Sequence, residues 1–377
     1  MLKILAHYNT ITNEENRNIP PAACNKLDYI ISVLSEAEEK IEIISASNTR
    51  NKKSSPKTVK KIKDNVNLTL LKGFARGSWI KNKVSTLFFS IQLFFYLLFH
   101  LKKQDTLLVY HSLSLISKVK ILKKIKKFKL ILEVEEIYGD VIGNKKIVKK
   151  ELKYFEKADG YIFPTELLNE KVNKKNKPYV IVHGSYYVED LLTKKFNDNR
   201  IHCVYAGTFD PRKGGVAAAA AAEYLNENYH VHILGFGTDS DKKLLLSEIE
   251  RVSSVSKCRI TFDGLLSGVE YIQFIQKCHI GLSTQNPNAA FNDTSFPSKV
   301  LSYLANGLRV VSVKIKALET SKVNDLLYYY ENSTPKDLAD SIMAIDVFSP
   351  YNSREKIGEL DREFGELLSS LLKKIKE

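Results

Sequence analysis

The stretch that decides the fold is residues 291–312, FNDTSFPSKVLSYLANGLRVVS. Phe296-Pro297 predicts a helix start, with Pro297 in the first turn, where its missing N–H costs nothing. Val300, Leu301 and Leu304 give that helix an apolar stripe at three- and four-residue spacing. Gly307 is placed to end it, and Leu308–Val313 reads as a buried strand. The N–H groups of Ser298 and Lys299 then point out of a helix N-terminus that follows a strand and a loop, a ready site for an anion. Taken alone, the segment reads equally as an ordinary loop–helix–strand unit of an α/β domain.

Upstream, a strand over Ile201–Ala206 leads into GTFDPRKGG, residues 207–215, and an alanine-rich helix over 216–225. Strand, glycine turn and helix in that order make the phosphate-facing element of a doubly wound domain. The glycine spacing is not that of the dinucleotide fingerprint. Further strands are expected at about 230–235, 258–262, 279–283, 308–313 and 327–330, with helices between. A long amphipathic helix covers 352–376.

The first half repeats the alternation. Strands are expected at Leu2–His7, Lys40–Ala46, Asn67–Leu71, Thr106–Tyr110, Leu130–Val134 (followed by Glu135-Glu136), Gly160–Phe163 and Tyr179–His183, with helices between most of them. Strand alternating with helix means a parallel sheet. Residues 47–66, rich in Lys and Ser, read as a mobile excursion. LLTKKFNDNR, residues 191–200, reads as a polar bridge between domains. The expected domains are therefore 1–190 and 200–348, with a C-terminal helix over 350–377.

Val84–Leu101, VSTLFFSIQLFFYLLFHL, is the most apolar run. Ser85, Ser90, Gln92 and His100 argue against a membrane span. Its place between two strands favours a crossover helix that could lie partly in a bilayer interface. Residues 118–129 then carry seven lysines with Val119, Ile121, Leu122 and Ile125 interleaved. That run reads either as a solvated helix face or as a membrane-surface contact.

Charge separates the halves. Residues 1–200 hold 37 Lys+Arg against 21 Asp+Glu, and residues 201–377 hold 20 against 22. A basic half beside a neutral half places a partner surface on one side. No base-stacking motif or groove-reading helix points to nucleic acid, so an anionic membrane face fits better. Cys24, Cys203, Cys258 and Cys278 stand singly in apolar segments and read as reduced core residues of a cytosolic protein. Met1 leads straight into a strand, with no leader pattern.

Ser295-Phe296-Pro297-Ser298-Lys299 and Ala305-Asn306-Gly307 resemble the nucleotide-sugar-binding element of family-4-like glycosyltransferases of the GT-B fold. In that pattern two Glu residues, eight apart, flank the turn. Their positions hold Thr294 and Ser302 here. Gly207, Thr208, Asp210, Arg212, Lys213 and Gly214 resemble the segment in which an Arg and a Lys grip the donor diphosphate, with Arg212 standing in for an Arg expected at Thr208. The resemblance implies two doubly wound Rossmann-like domains with a cleft between them. It implies transfer of a sugar from a UDP- or GDP-linked donor, with retention and with no metal or cofactor.

On that reading Lys213 and Arg212 stabilise the leaving diphosphate. Glu135 stands near the position of a His that touches the donor sugar in relatives. Acceptor contacts are expected from Asn16 and Arg17, in the loop Asn13–Pro21, and from strand-end His111. A strand-end Glu or His reads equally as a structural hydrogen-bonding group. The whole resembles bacterial enzymes that build capsule, O-antigen or exopolysaccharide on a lipid-linked saccharide acceptor, attached peripherally to the inner face of the cell membrane. The rival readings are a catalytically silent GT-B subunit that activates a partner, motivated by the missing Glu pair, and a nucleotide-sugar epimerase.

Overall fold

A computed structural model of the chain describes residues 1–10 and 16–377, with Ala290 and Asp293 described by backbone alone. The chain forms two compact units. The first comprises Met1–Ser185 and Glu363–Glu377, the second Tyr186–Arg362.

The first unit holds an eight-stranded sheet. Its strands are β1 (Leu2–Ala6), β2 (Ile41–Ser45), β3 (Thr58–Lys63), β4 (Val66–Leu70), β5 (Thr106–Tyr110), β6 (Lys129–Glu133), β7 (Gly160–Phe163) and β8 (Tyr179–Ile181). Their order across the sheet is β3-β4-β2-β1-β5-β6-β7-β8. All neighbours pair in parallel except β3 with β4. The central strands are mainly apolar because helices cover both faces; every residue of β1 is buried, including Lys3, which pairs with Glu42 of β2.

β3 corrects the expectation of a mobile segment at 47–66. Its residues alternate between half-buried and exposed, and it runs antiparallel along the edge of the sheet with Lys60 and Lys61 in the strand. The sequence carries no apolar period-two signal, since the half-buried face holds Thr58, Lys60 and Ile62 and Val59 is exposed; the lysines suit an edge strand that must not recruit another chain.

The helix Trp79–His100 begins at an N-cap Ser78. It buries Ser85, Phe89, Leu93 and Leu97 and leaves the opposite face bare, with Trp79 69% and Phe99 74% exposed. It is the one helix among the described residues long and apolar enough to cross a membrane.

The second unit holds six parallel strands: β9 (Ile201–Thr208), β10 (Tyr229–Phe236), β11 (Arg259–Gly264), β12 (Ile280–Ser283), β13 (Arg309–Val313) and β14 (Leu327–Tyr330). Their order is β11-β10-β9-β12-β13-β14. The direction of winding reverses between β9 and β12, and ligands of such sheets bind beyond the carboxyl ends of the strands at that reversal.

The expected bridge at 191–200 is packed against this unit. Gln276 takes the Leu192 amide at 2.8 Å, and Phe196 stacks on His202 with ring centroids 4.2 Å apart. The helix Ser353–Lys376 begins in the second unit and ends in the first.

Candidate active site

β12 pairs with β9 at only two positions, Ile280 with Cys203 and Gly281 with Val204. Beyond them the two strands make no further pair, and the helix Ser298–Ala305 packs against β12 and β13. Gly281 makes this approach feasible, since a Cβ there would collide with the Tyr303 ring. Tyr303 accepts the Ala206 amide on its hydroxyl at 2.8 Å, satisfying a donor that the parted strand leaves behind. Pro297 is the N-cap residue of this helix, one place before the expected position.

From the first turn, Lys299 reaches back across the end of β9. Its Nζ lies 3.9 Å from the Tyr205 ring centroid and 3.5 Å from the Lys213 carbonyl oxygen. Gly207 gives it room, since a Cβ at that position would stand 3.2 Å from the amine.

The loop after β9 folds tightly around Tyr205. The Tyr205 hydroxyl donates toward the carbonyl oxygens of Thr208 and Lys213 at 2.8 and 3.1 Å. Residues Pro211–Lys213 form a single 3₁₀ turn, capped by Asp210 accepting the Arg212 amide at 2.9 Å. Gly214 follows at φ +88°, where a side chain would be strained and would strike the Thr284 backbone. Thr284 donates its hydroxyl to the Gly214 carbonyl at 2.6 Å, tying this loop to the end of β12. Lys213 Nζ sits 3.7 Å above the Phe291 ring.

Near the switch point each of two lysines from separate elements thus sets its amine against an aromatic face, Lys299 on Tyr205 and Lys213 on Phe291. Burial, reinforced by the charge of Lys213, lowers the Lys299 amine to about 7. An anion placed here would relieve both the desolvation and the repulsion.

Other expected donor residues divide. Thr294, Ser295 and Phe296 form the turn leading into the helix, with Thr294 and Phe296 buried, and Ser298 is exposed at the helix start. Ser302 faces Tyr271, with the two hydroxyl oxygens 3.1 Å apart. Arg212 is exposed and forks onto Asp210, at 2.6 Å from Nη2 to Oδ2 and 3.0 Å from Nε to Oδ1. That hydrogen bond holds the Asp210 carboxyl below the usual range. The charge of Arg212 is thus matched within its own turn.

In the first unit, Glu135 forms an ion pair with buried Lys26, which also lies 3.2 Å from Glu133. Burial, then the Glu135 charge, pushes the Glu133 carboxyl well up. Burial pushes Glu135 up too, but Lys26 overcomes it and keeps that carboxyl ionised.

His111 and Arg17 correct the expectation of acceptor contacts. His111 is buried, and its Nε2 lies 2.7 Å from Glu151. Arg17 is buried and donates to the carbonyl oxygens of Ser47 and Leu71 at 3.0 and 2.8 Å. Both satisfy interior polar groups, the alternative open to any strand-end or loop side chain. Asn16 is exposed, and its carbonyl accepts the Arg50 amide at 2.7 Å. The start of that loop, Asn13 to Glu15, lies outside the described residues.

Tyr205, Phe291, Thr284 and Tyr271 complete the site without having been singled out from the sequence. Tyr205 carried a signal, since it lies two residues before Gly207 and so shares its face of the strand. The chain also holds an Asp-x-Asp run, Asp239-Ser240-Asp241, the pattern of a metal-binding carboxylate pair. Here it opens the helix Asp239–Val255, where Thr238 donates to Asp241 Oδ2 at 2.7 Å and accepts the Asp241 amide at 3.2 Å.

No protein-family model matches the chain, and no curated protein matches it in sequence. Solved structures do match over the whole length. Sucrose-phosphate synthase from Thermosynechococcus elongatus is similar with a TM-score of 0.72 at 12% identity, covering 99% of each chain. A trehalose-6-phosphate protein from E. coli, bound with UDP-2-fluoro glucose, gives 0.69 at 11% identity, covering 100% of this chain and 99% of that one. The α,α-trehalose 6-phosphate synthase from Burkholderia multivorans gives 0.68 at 12% identity, covering 98% and 94%. The fold shared with them is GT-B, with two parallel-sheet domains.

Proposed function

We propose that this chain is a glycosyltransferase that takes a sugar from a nucleoside-diphosphate donor, UDP- or GDP-linked. The observation that carries the reading is the Lys299 amine, set beside Gly207 and 3.5 Å from the Lys213 carbonyl at the switch point of the second sheet, with the Lys213 amine over Phe291. Departure of the diphosphate builds negative charge at its oxygens. Two preorganised amines in a partly desolvated site stabilise that charge more than water would. The leaving phosphate itself takes the acceptor proton, and the sugar is transferred with retention. Similarity to a fold that elsewhere binds UDP-2-fluoro glucose supports a nucleotide-sugar ligand.

The acceptor in this reading is a lipid-linked saccharide of cell-surface polysaccharide synthesis, met at the inner face of the cell membrane. The bare face of the helix Trp79–His100 supports it, with Trp79, Ile80, Leu87, Phe88, Phe95 and Phe99 exposed. Lys83 lies 3.6 Å from the Trp79 ring, and the flanking lysines suit anionic headgroups.

A second reading, a silent subunit that activates a partner enzyme, is favoured by one observation. Ser302, at a position where relatives carry a ribose-binding Glu, lies against Tyr271. A panel of nucleotide sugars at millimolar concentration separates the two. One donor should raise the melting temperature, and with a lipid-linked acceptor the protein should release nucleoside diphosphate. If no donor binds, while a glycosyltransferase co-purifies and needs this chain for activity, the subunit reading replaces the enzyme.

A further inference from the structure

The second unit carries an imidazole cluster near the amino ends of its strands, remote from the lysine pair. His202 is the second residue of β9, and His230 and His232 lie in β10. Strand periodicity puts His230 and His232 on one face, and the parallel register sets His202 beside His230. All three are buried, and ligand-capable nitrogens, one from each, lie within 4.8 Å of one another.

Each ring is fixed from outside by an oxygen. His202 Nε2 lies 2.7 Å from Asp198, His232 Nδ1 lies 3.0 Å from Asp263, and His230 Nε2 lies 3.0 Å from the Thr261 hydroxyl. A ring nitrogen facing a carboxylate carries its hydrogen there, which leaves the other nitrogen as a lone pair. His202 Nδ1 and His232 Nε2 then face each other at 2.8 Å as two acceptors. His230 Nδ1 is buried with no hydrogen-bond partner among the described residues. Three inward lone pairs in a dry interior call for a cation. Outward carboxylates on His202 and His232 are the support that metal-bound imidazoles carry.

We propose that His202 Nδ1, His230 Nδ1 and His232 Nε2 form a three-nitrogen binding site for a divalent transition ion of the zinc class. Imidazole nitrogens select such an ion over Mg²⁺ or Ca²⁺. Zn–N bonds of about 2.0–2.1 Å in a tetrahedron set nitrogens roughly 3.3 Å apart, so the facing pair opens by about 0.5 Å on binding. Gly207 lies five residues along β9, about 16 Å away at strand rise, so the ion takes no part at the diphosphate site. It ties β9 to β10, with β11 held through Asp263.

The test uses tag-free, full-length protein. Elemental analysis after gel filtration should find one zinc per chain. Protein stripped with a chelator should rebind one equivalent in competition with a chromophoric chelator and rise in melting temperature. Cobalt(II) in its place should show the visible ligand-field bands of a low-coordinate nitrogen site. His230→Gln and His232→Gln should each weaken binding by about 100-fold or more, and Asp263→Asn by about 10- to 100-fold. Three results overturn the proposal: no stoichiometric zinc at micromolar concentration, cobalt bound without those bands, or unchanged affinity in the His variants. If the His variants fail to fold, the wild-type cobalt spectrum and Asp263→Asn decide. Absence of both effects would leave the facing nitrogens sharing a proton instead.

Discussion

Lys299 makes the sharpest prediction. Its amine, lowered to about 7 by burial and by Lys213, is largely neutral in the free protein at pH 8. A bound diphosphate favours the charged form, so binding should draw in close to one proton. Donor affinity should therefore fall as pH rises above 7, by up to about tenfold per unit. Calorimetry at pH 8 in two buffers of unlike ionisation heat measures that uptake directly. Zero uptake, or the same pH slope in Lys299→Met, would show that the amine does not meet the diphosphate. The sign for stability runs the other way. The folded value lies below the unfolded one, so burying the charged amine costs stability below about pH 7, and that cost fades toward the ordinary lysine range near 10.4. For Lys213, substitution by Ala should lower turnover by about 10²-fold, the scale for one preorganised group, with the melting temperature little changed. Near-wild-type turnover would remove it from the mechanism. The turn at residues 207–214 and the helix start before Lys299 were legible in the sequence because both follow from local residue patterns. His111 and Arg17 were not, because their partners, Glu151 and the Ser47 and Leu71 carbonyls, lie far along the chain.

Among elements, the helix Trp79–His100 shows what periodicity can and cannot say. Its sequence suggests a crossover helix, and one face does pack, through Phe89, Leu93 and Leu97. Only the structure shows that Leu87, Phe95 and Phe99 are left exposed among the described residues. Attachment should then be led by apolar burial. Each Phe or Leu placed in a bilayer contributes about 1.5–3 kcal/mol, against roughly 1 kcal/mol for each lysine near an anionic surface. Leu87→Ser with Phe95→Ser and Phe99→Ser should release the protein from vesicles at any salt concentration. Neutralising exposed Lys124 and Lys127 should weaken binding only at low salt. Lys123 belongs outside that set, since Asp159 holds it at 2.5 Å. Tight binding by the triple variant would show that this face is not the anchor. The imidazole cluster was legible in principle: His-x-His on a strand puts both rings on one face. The third ring depended on a register that spacing alone does not set.

At the scale of the whole molecule, alternation of strand and helix announced two doubly wound units, but it placed their boundary late. The cause is Gln276, whose side chain accepts the Leu192 amide, donates to the Asp190 carbonyl and draws the supposed bridge into the second unit. The first unit is discontinuous, completed by residues 363–377. Phe364 stacks on Tyr29 with centroids 5.6 Å apart, and Ile375 lies so close to Gly160 that a Cβ there would collide with it. A chain ending at Arg362 leaves that seat open and exposes the apolar surface that Leu368, Leu371, Leu372 and Ile375 cover. Hydrogen exchange on that truncated chain should show protection lost across β1 to β8 and kept across β9 to β14. Uniform protection would mean the segment is dispensable.

That discontinuity also sets an order of events on the ribosome. The eight strands of the first sheet are made early, yet the helical segment that seals them is translated only after every residue of the second unit. The second unit can finish while the first still waits, holding an apolar seat open to chaperones and proteases. A chain cut short before the last helix thus carries an unfilled apolar seat on its first unit, whatever the state of the second.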